Sequence, residues 1–222
     1  MKNIELLVLD MAGTTVDEDN VVYKTLTQAV NDAGYTVSLE KVLTECAGKE
    51  KYEAISDLLH TIGGNREDAQ SIFENFSEQL KNAYINLNVK PINGVEEFLL
   101  NTRARNKKIV LNTGYNSAIA LQLLEKLGWR ENLHYDALIT ADDVSESRPS
   151  PEMIQFAMKK FNINDPQLVL KAGDSVIDIE EGKNAGCGIT IAVLSGAQSH
   201  TELEKANPDY ILNTLSEAGN II

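Results

Sequence analysis

Short, almost continuous apolar segments recur along the 222-residue chain and constrain its fold more than any other feature. The clearest are residues 4–9, 108–112, 168–172 and 189–193, with a weaker one at 137–139 and a candidate edge strand at 209–212. Apolar runs of this length indicate strands that are buried on both faces of a parallel sheet. Segments with helical spacing separate them. We therefore predict βαβ units and a doubly wound, Rossmann-like α/β fold.

Residues 16–90 interrupt this alternation. Four segments there have helix-like character, with apolar residues three or four positions apart, and none has convincing strand character. We therefore predict an all-helical insert at residues 16–90, placed directly after the first strand. Residues 1–15 and 91–222 then form the α/β core.

Polar residues follow the carboxyl ends of several predicted strands. These residues are Asp10, Thr113 (followed by Gly114), Arg148, Asp174 and, one helical turn further along, Asp178. In open α/β sheets, ligands bind outside the carboxyl ends of the strands. We therefore expect these side chains to converge on one crevice.

This combination of residue types suits phosphoryl transfer. A carboxylate such as Asp10 can attack phosphorus and form an aspartyl-phosphate, which divides one difficult displacement into two easier ones. Because the carboxylate repels a phosphate dianion, a divalent cation is needed between them, and Mg²⁺ prefers oxygen ligands such as Asp10 and Asp174. Thr113, the amides near Gly114, and Arg148 can bind the phosphoryl oxygens.

Each of these residues, taken singly, also has an ordinary structural explanation. An aspartate after a strand often caps a turn or a helix, as Asp174 could, and Arg148 could lie on a surface loop. The complete set, distributed over the strand ends of one predicted sheet, favours the functional interpretation.

Four motifs in the chain resemble those of the haloacid dehalogenase superfamily. They are DxxGTT at residues 10–15, Thr113 after a strand, Arg148 ahead of a PxP segment, and GDSxxD at residues 173–178. The helical insert resembles the C1 cap of that superfamily. The resemblance covers essentially the whole chain and implies a Mg²⁺-dependent hydrolase that acts through an aspartyl-phosphate.

The closer resemblance is to the phosphonoacetaldehyde hydrolases. Ala12 replaces the acid–base aspartate of most phosphatases, and Arg148 replaces the usual lysine. The resemblance implies that the Ala12 carbonyl binds Mg²⁺ and that Asp178 orders a metal-bound water. It also implies that Lys51, in the segment Gly-Lys-Glu-Lys at residues 48–51, binds the substrate and forms a Schiff base with an aldehyde.

Ala12 is informative because of the leaving group. A phosphate ester leaves as an alkoxide and benefits from a nearby acid, which Ala12 cannot supply. A phosphonate joined through an iminium leaves as an enamine and does not need that acid. The sequence therefore predicts carbon–phosphorus bond cleavage of the phosphonoacetaldehyde type.

Two alternatives remain open. The first is an ordinary phosphomonoesterase of the phosphoglycolate type, which has to protonate its leaving group without an acid at Ala12. Ala54 stands where the phosphonoacetaldehyde hydrolases have a histidine, so the chain departs from that family's pattern there. A different class is a non-catalytic module that binds a phosphometabolite, although the intact set of Asp10, Thr113, Arg148 and Asp174 argues against it. Dehalogenation is disfavoured by the GDSxxD metal motif.

Charge and cysteine content indicate the setting. With 33 acidic and 20 basic residues, the formal net charge of −13 disfavours nucleic acid and anionic membranes as partners. Cys46 and Cys187 have neither metal-binding spacing nor a disulfide framework, and residues 4–9 are too short for a membrane span. We expect a cytoplasmic monomer or homodimer that acts on a small phosphorylated or phosphonylated metabolite.

Overall fold

The chain divides into two units, one formed by Met1–Asp17 with Val89–Ile222 and the other by Glu18–Asn88. The computed structural model describes residues 3–47, 49 and 51–222. The described residues do not include Met1, Lys2, Gly48 and Glu50. Two residues of the predicted segment at 48–51 therefore lie outside them.

The first unit, called the core unit here, contains the strands. In chain order they are β1 (Leu6–Asp10), β2 (Val16–Asp17), β3 (Lys90–Pro91), β4 (Lys108–Asn112), β5 (Ala137–Ile139), β6 (Val169–Gly173), β7 (Ile189–Val193) and β8 (Tyr210–Leu212). Six of them form a sheet in the order β5-β4-β1-β6-β7-β8, with every neighbouring pair parallel. This confirms the predicted doubly wound parallel sheet.

The strand order has a switch point at β1. The chain adds strands on one side of β1 through β4 and β5, and on its other side through β6, β7 and β8. A crevice forms at such a switch point, outside the carboxyl ends of the strands, and ligands bind there in doubly wound folds. A ligand site is therefore expected at the carboxyl ends of β1, β4 and β6.

The second unit, called the helical unit here, contains α1 (Val21–Asp32), α2 (Leu39–Cys46), α3 (Lys51–Thr61), a 3₁₀ turn (Arg66–Asp68) and α4 (Ala69–Asn86). Its described residues include no strand. Apolar side chains three and four positions apart are buried, such as Ile55, Leu58 and Leu59 in α3. Burial of such a stripe is what stabilises an amphipathic helix.

The core unit continues with α5 (Val95–Ala104), α6 (Ser117–Leu127), α7 (Glu152–Lys160), α8 (Val176–Asn184) and α9 (His200–Lys205). Met153 and Ile154 of α7 belong to one hydrophobic cluster with Leu6 and Val8 of β1. No helix in the described part of the chain has the length and apolar content that a bilayer crossing requires.

A short antiparallel ribbon was not visible in the sequence. Val16 of β2 pairs with Pro91 of β3, and Asp17 pairs with Lys90. A strand of two residues shows no periodicity, so the sequence carries no signal for it.

Candidate active site

Asp10 is the last residue of β1, and its backbone is held by β4 and by the turn that follows it. It lies in register with Asn112 of β4, and both side chains are buried. The turn that follows contains Ala12 and folds back on itself, because several amides donate to the Met11 carbonyl. The Thr15 hydroxyl also donates to the Asp10 carbonyl over 2.9 Å. The Asp10 carboxylate therefore starts from a fixed backbone at the switch point.

Three buried carboxylates meet at this position. Oxygens of Asp10, Asp174 and Asp178 all lie within 4.8 Å of one another. Asp174 follows β6, and Asp178 lies in the first turn of α8. Two oxygens bound to one Mg²⁺ are at most about 4.2 Å apart, so small side-chain rotations would let two of these carboxylates hold one ion.

Arg148 joins two of the carboxylates. Its Nη1 lies 2.6 Å from Asp10 Oδ1 and 2.6 Å from Asp178 Oδ1. At Gly114, a Cβ atom would lie 3.2 Å from Arg148 Nη2, so the turn after β4 lies against the guanidinium. Thr113 is buried beside it, and its hydroxyl accepts the Tyr115 amide over 3.2 Å. The structure therefore brings all the predicted residues of the core unit to one edge of the sheet.

Burial and the neighbouring charges shift the pKa values of the three carboxylates in different directions. Burial, and then the nearby Asp178, raises the pKa of Asp10 to about 6 despite Arg148. Burial, and then Asp10 and Asp178, raises the pKa of Asp174 well above its ordinary value. Burial also acts to raise the pKa of Asp178, but Lys171 and Arg148 outweigh it and lower that pKa to about 2. The two cations therefore stabilise the ionised form of Asp178, while burial and the neighbouring carboxylates oppose ionisation of Asp10 and Asp174.

The count of charges indicates what the cluster can bind. Four buried carboxylates, Asp10, Asp174, Asp178 and Glu181, face two cations, the partly buried Arg148 and the fully buried Lys171. When all are ionised, two negative charges remain uncompensated. A divalent cation balances that excess, and carboxylate oxygens are the ligands that Mg²⁺ prefers. The donor set therefore fits Mg²⁺.

Sequence reasoning missed a buried polar group behind the carboxylates. Lys171 of β6 and Glu181 of α8 are fully buried, and both contact Asn112 of β4. The sequence did hold a signal for Lys171, because a lysine in a run predicted to be buried on both faces must find partners. Asn112 and Glu181 gave no comparable signal.

A loop after β7 was also missed. The Ala197 amide donates to Asp174 Oδ2 over 2.6 Å, and the Ser195 hydroxyl donates to the Gly13 carbonyl over 2.6 Å. Between them, a Cβ at Gly196 would lie only 1.9 Å from Asp174 Oδ2, so only glycine allows the backbone to pass there. This loop fixes one oxygen of Asp174 and joins it to the turn after β1.

Lys51 belongs to the helical unit and is the first residue of α3. Its Nζ donates to the Lys49 carbonyl over 2.7 Å and lies 5.2 Å from the centre of the Tyr23 ring. Ala54, one turn further along α3, is fully buried. Both of these contacts of Lys51 are with residues of its own unit.

The sheet, the strand-end carboxylates and the arginine together define a class of hydrolase. The family model described as haloacid dehalogenase-like hydrolase matches residues 7–193, and the chain belongs to that family. This confirms the superfamily that the four motifs indicated.

Within that family, particular relatives are named phosphonoacetaldehyde hydrolase. The protein from Latilactobacillus sakei is 28% identical, and the alignment covers 100% of this chain and 96% of that protein. The protein from Bordetella pertussis is 30% identical, with 91% of this chain and 77% of that protein covered.

Solved structures share the fold. A phosphonoacetaldehyde hydrolase-like protein from Oleispira antarctica superposes with a TM-score of 0.80 at 22% identity, covering 99% of this chain and 91% of that one. A structure described as a predicted phosphoglycolate phosphatase from Haemophilus somnus superposes with a TM-score of 0.83 at 18% identity, covering 100% and 99%. At these identities the likeness concerns the fold alone.

Proposed function

We propose that this hydrolase is a Mg²⁺-dependent, phosphonatase-like enzyme that cleaves a small phosphonate or phosphate metabolite through an aspartyl-phosphate at Asp10. The observation that carries the proposal is the buried cluster of Asp10, Asp174 and Asp178, with oxygens within 4.8 Å of one another and the Arg148 guanidinium 2.6 Å from Asp10. The names of the sequence relatives support the phosphonate substrate.

The core unit performs the phosphoryl transfer in this proposal. An Asp10 oxygen attacks phosphorus while Arg148, Thr113 and the amides near Gly114 bind the phosphoryl oxygens. Asp10, Asp174 and the Ala12 carbonyl would hold Mg²⁺, and Asp178 would order one of its waters. The ion supplies the positive charge that allows a carboxylate to approach an anionic phosphoryl group. Water then hydrolyses the aspartyl-phosphate and releases phosphate and free Asp10.

Lys51 supplies the second half of the proposed chemistry. Its neutral amine adds to the aldehyde carbon, and loss of water gives an iminium. The carbon–phosphorus bond then breaks, phosphorus passes to Asp10, and the bonding electron pair moves into the iminium to form an enamine. Protonation of the enamine on carbon and hydrolysis release acetaldehyde and restore the Lys51 amine. Because the iminium accepts the electrons, the missing acid at Ala12 is not needed.

One observation favours a second candidate, a phosphomonoesterase of the phosphoglycolate type. Ala54 stands where the phosphonoacetaldehyde hydrolases have a histidine, and its side chain is fully buried in α3. This position therefore offers no group to move a proton during Schiff-base formation. A phosphomonoesterase would not need such a group.

A comparison of three substrates distinguishes the two candidates. Phosphate release is measured with phosphonoacetaldehyde, phosphoglycolate and p-nitrophenyl phosphate, with Mg²⁺ or with a chelator. We expect Mg²⁺-dependent turnover that is fastest on phosphonoacetaldehyde. We also expect Asp10→Asn to lower kcat by about a thousandfold or more, because the amide cannot attack phosphorus.

Borohydride reduction provides the second measurement. With phosphonoacetaldehyde present, it should add a substrate-derived mass to the peptide that contains Lys51. Ester turnover without any adduct would establish the phosphomonoesterase instead. Phosphate release that survives Asp10→Asn would contradict both candidates.

A further inference from the structure

Lys171 lies at the centre of a buried network behind the carboxylates. Its ammonium has three protons and three acceptors: Asn112 Oδ1 at 2.7 Å, Glu181 Oε2 at 2.9 Å and Asp178 Oδ1 at 3.0 Å. Asn112 also donates to both oxygens of Glu181, at 2.9 and 3.0 Å. Every strong hydrogen-bonding position of the ammonium is therefore used, which fixes its place.

The network reaches the reacting residues through Asp178. Asp178 Oδ1 contacts both Lys171 and Nη1 of Arg148, and its Oδ2 accepts the Ser175 hydroxyl over 2.6 Å. The same Nη1 of Arg148 contacts Asp10 Oδ1. A chain of charged contacts thus runs from Lys171 through Asp178 and Arg148 to the carboxylate at the end of β1.

The backbone leaves Lys171 and Asp178 little freedom to move. A Cβ at Gly182 of α8 would lie 2.9 Å from Lys171 Cβ, and a Cβ at Gly173 would lie 2.1 Å from Asp178 Cγ. Both side chains are therefore packed directly against glycine backbone. In a close-packed interior, a displaced group at one end of such a network displaces the next.

We propose that Lys171 is a positioning residue that, held by Glu181 and Asn112, anchors Asp178 so that Asp178 aims the Arg148 guanidinium at the phosphoryl site beside Asp10. This inference rests on the proposed function and deepens it by assigning a role to the fully buried lysine. Asp178 then serves chiefly as the link between the two cations.

The alternative is that Lys171 only neutralises Glu181. A buried carboxylate without a partner is strongly destabilising, so loss of Lys171 would harm the fold for that reason alone. A single substitution cannot separate the two roles. Replacement of both members of the pair can, because it removes the buried charges together.

The test uses three variants: Lys171→Met, the double variant Lys171→Met/Glu181→Gln, and Lys108→Met as a matched control. Met retains most of the volume of the lysine stem, and Gln retains the shape of Glu181. Lys108 is another strand lysine, and it pairs with Asp136 over 3.1 Å, away from the carboxylate cluster. Thermal unfolding, kcat/KM and the affinity for inorganic phosphate in the presence of Mg²⁺ are measured for each.

We expect Lys171→Met to unfold at lower temperature than the wild type and the double variant to recover most of that loss. In the double variant, whose stability is restored, kcat/KM should remain about tenfold or more below the wild type. Phosphate should bind about tenfold more weakly, because the Arg148 guanidinium is no longer held in position at the phosphoryl site. Lys108→Met should bind phosphate as the wild type does. A double variant with wild-type kcat/KM and phosphate affinity would overturn the inference.

Phosphate titration by calorimetry separates this inference from the proposed function. If the wild type hydrolyses none of the substrates but binds phosphate, the proposed function fails, and the loss of binding in the double variant still supports the role of Lys171. If the wild type turns over and the double variant matches it, only the Lys171 inference fails. A wild type that neither hydrolyses nor binds phosphate contradicts both.

Discussion

Asp10 faces two opposing demands at the level of the single residue. As a nucleophile it must be ionised, yet burial and the neighbouring Asp178 raise its pKa to about 6. Above that pH the folded protein carries a charge that its surroundings disfavour. Asp178 has the opposite balance, because Lys171 and Arg148 outweigh its burial and lower its pKa to about 2. Neutralising the two residues should therefore change stability in opposite directions.

We expect metal-free Asp10→Asn to be at least as stable as the wild type at neutral pH, by up to about 3 kcal/mol, since each unit of pKa shift corresponds to about 1.4 kcal/mol. Asp178→Asn is the matched control and should be less stable than the wild type, because its ionised form is the favoured one. Urea unfolding in the presence of a chelator measures both. An Asp10→Asn protein that unfolds more easily than Asp178→Asn would contradict this account of the cluster.

Asp136 connects two elements of the core unit. Its carboxylate accepts hydrogen bonds from Nε and Nη2 of Arg103 in α5, at 3.1 and 3.0 Å. It also accepts hydrogen bonds from the Lys108 ammonium at 3.1 Å and from the Ile109 amide at 3.0 Å, both in β4. Burial acts to raise the pKa of Asp136, but the hydrogen bonds from Arg103, Ile109 and Lys108 outweigh it and hold that pKa below its ordinary value. The ionised carboxylate therefore stabilises the packing of α5 beside β4.

We expect Asp136→Asn to lower the free energy of unfolding by about 2 kcal/mol, within the range for hydrogen bonds to a charged group, without changing kcat. Because the folded pKa is lowered, the stabilisation is fully present above the unfolded pKa of about 4 and is lost as the pH falls through the folded value. Asp57→Asn, the control, removes the exposed ion-pair partner of Lys49 and Arg66 and should change stability by only about 0.5 kcal/mol. A difference between Asp136→Asn and wild type that persists at low pH would contradict the assignment.

At the scale of the whole molecule, the sequence predicted what depends on local composition and missed what depends on register. Continuous apolar runs indicate burial directly, so they predicted the six strands of the sheet. Asp10, Arg148 and Asp174 come after such runs in the sequence, which predicted that they lie at the strand ends. The Lys171 network joins residues of β4, β6 and α8, and a single sequence does not contain the register that brings them together. The loop that binds Asp174 was missed for another reason: its hydrogen bond to that carboxylate comes from the backbone amide of Ala197, which leaves no mark on the sequence.

The division into a core unit and a helical unit suggests a division of labour that two neighbouring lysines can test. Lys49 and Lys51 lie two positions apart in the helical unit, but only Lys51 is proposed to form a Schiff base. We expect Lys51→Ala to lower kcat/KM for phosphonoacetaldehyde by about a hundredfold or more, since the iminium that accepts the electrons cannot form. Hydrolysis of p-nitrophenyl phosphate, which requires only the proposed chemistry of the core unit, should change much less. Lys49→Ala should keep both activities.

Equal losses on the two substrates in Lys51→Ala would mean that the lysine supports the fold of its unit and takes no part in the reaction.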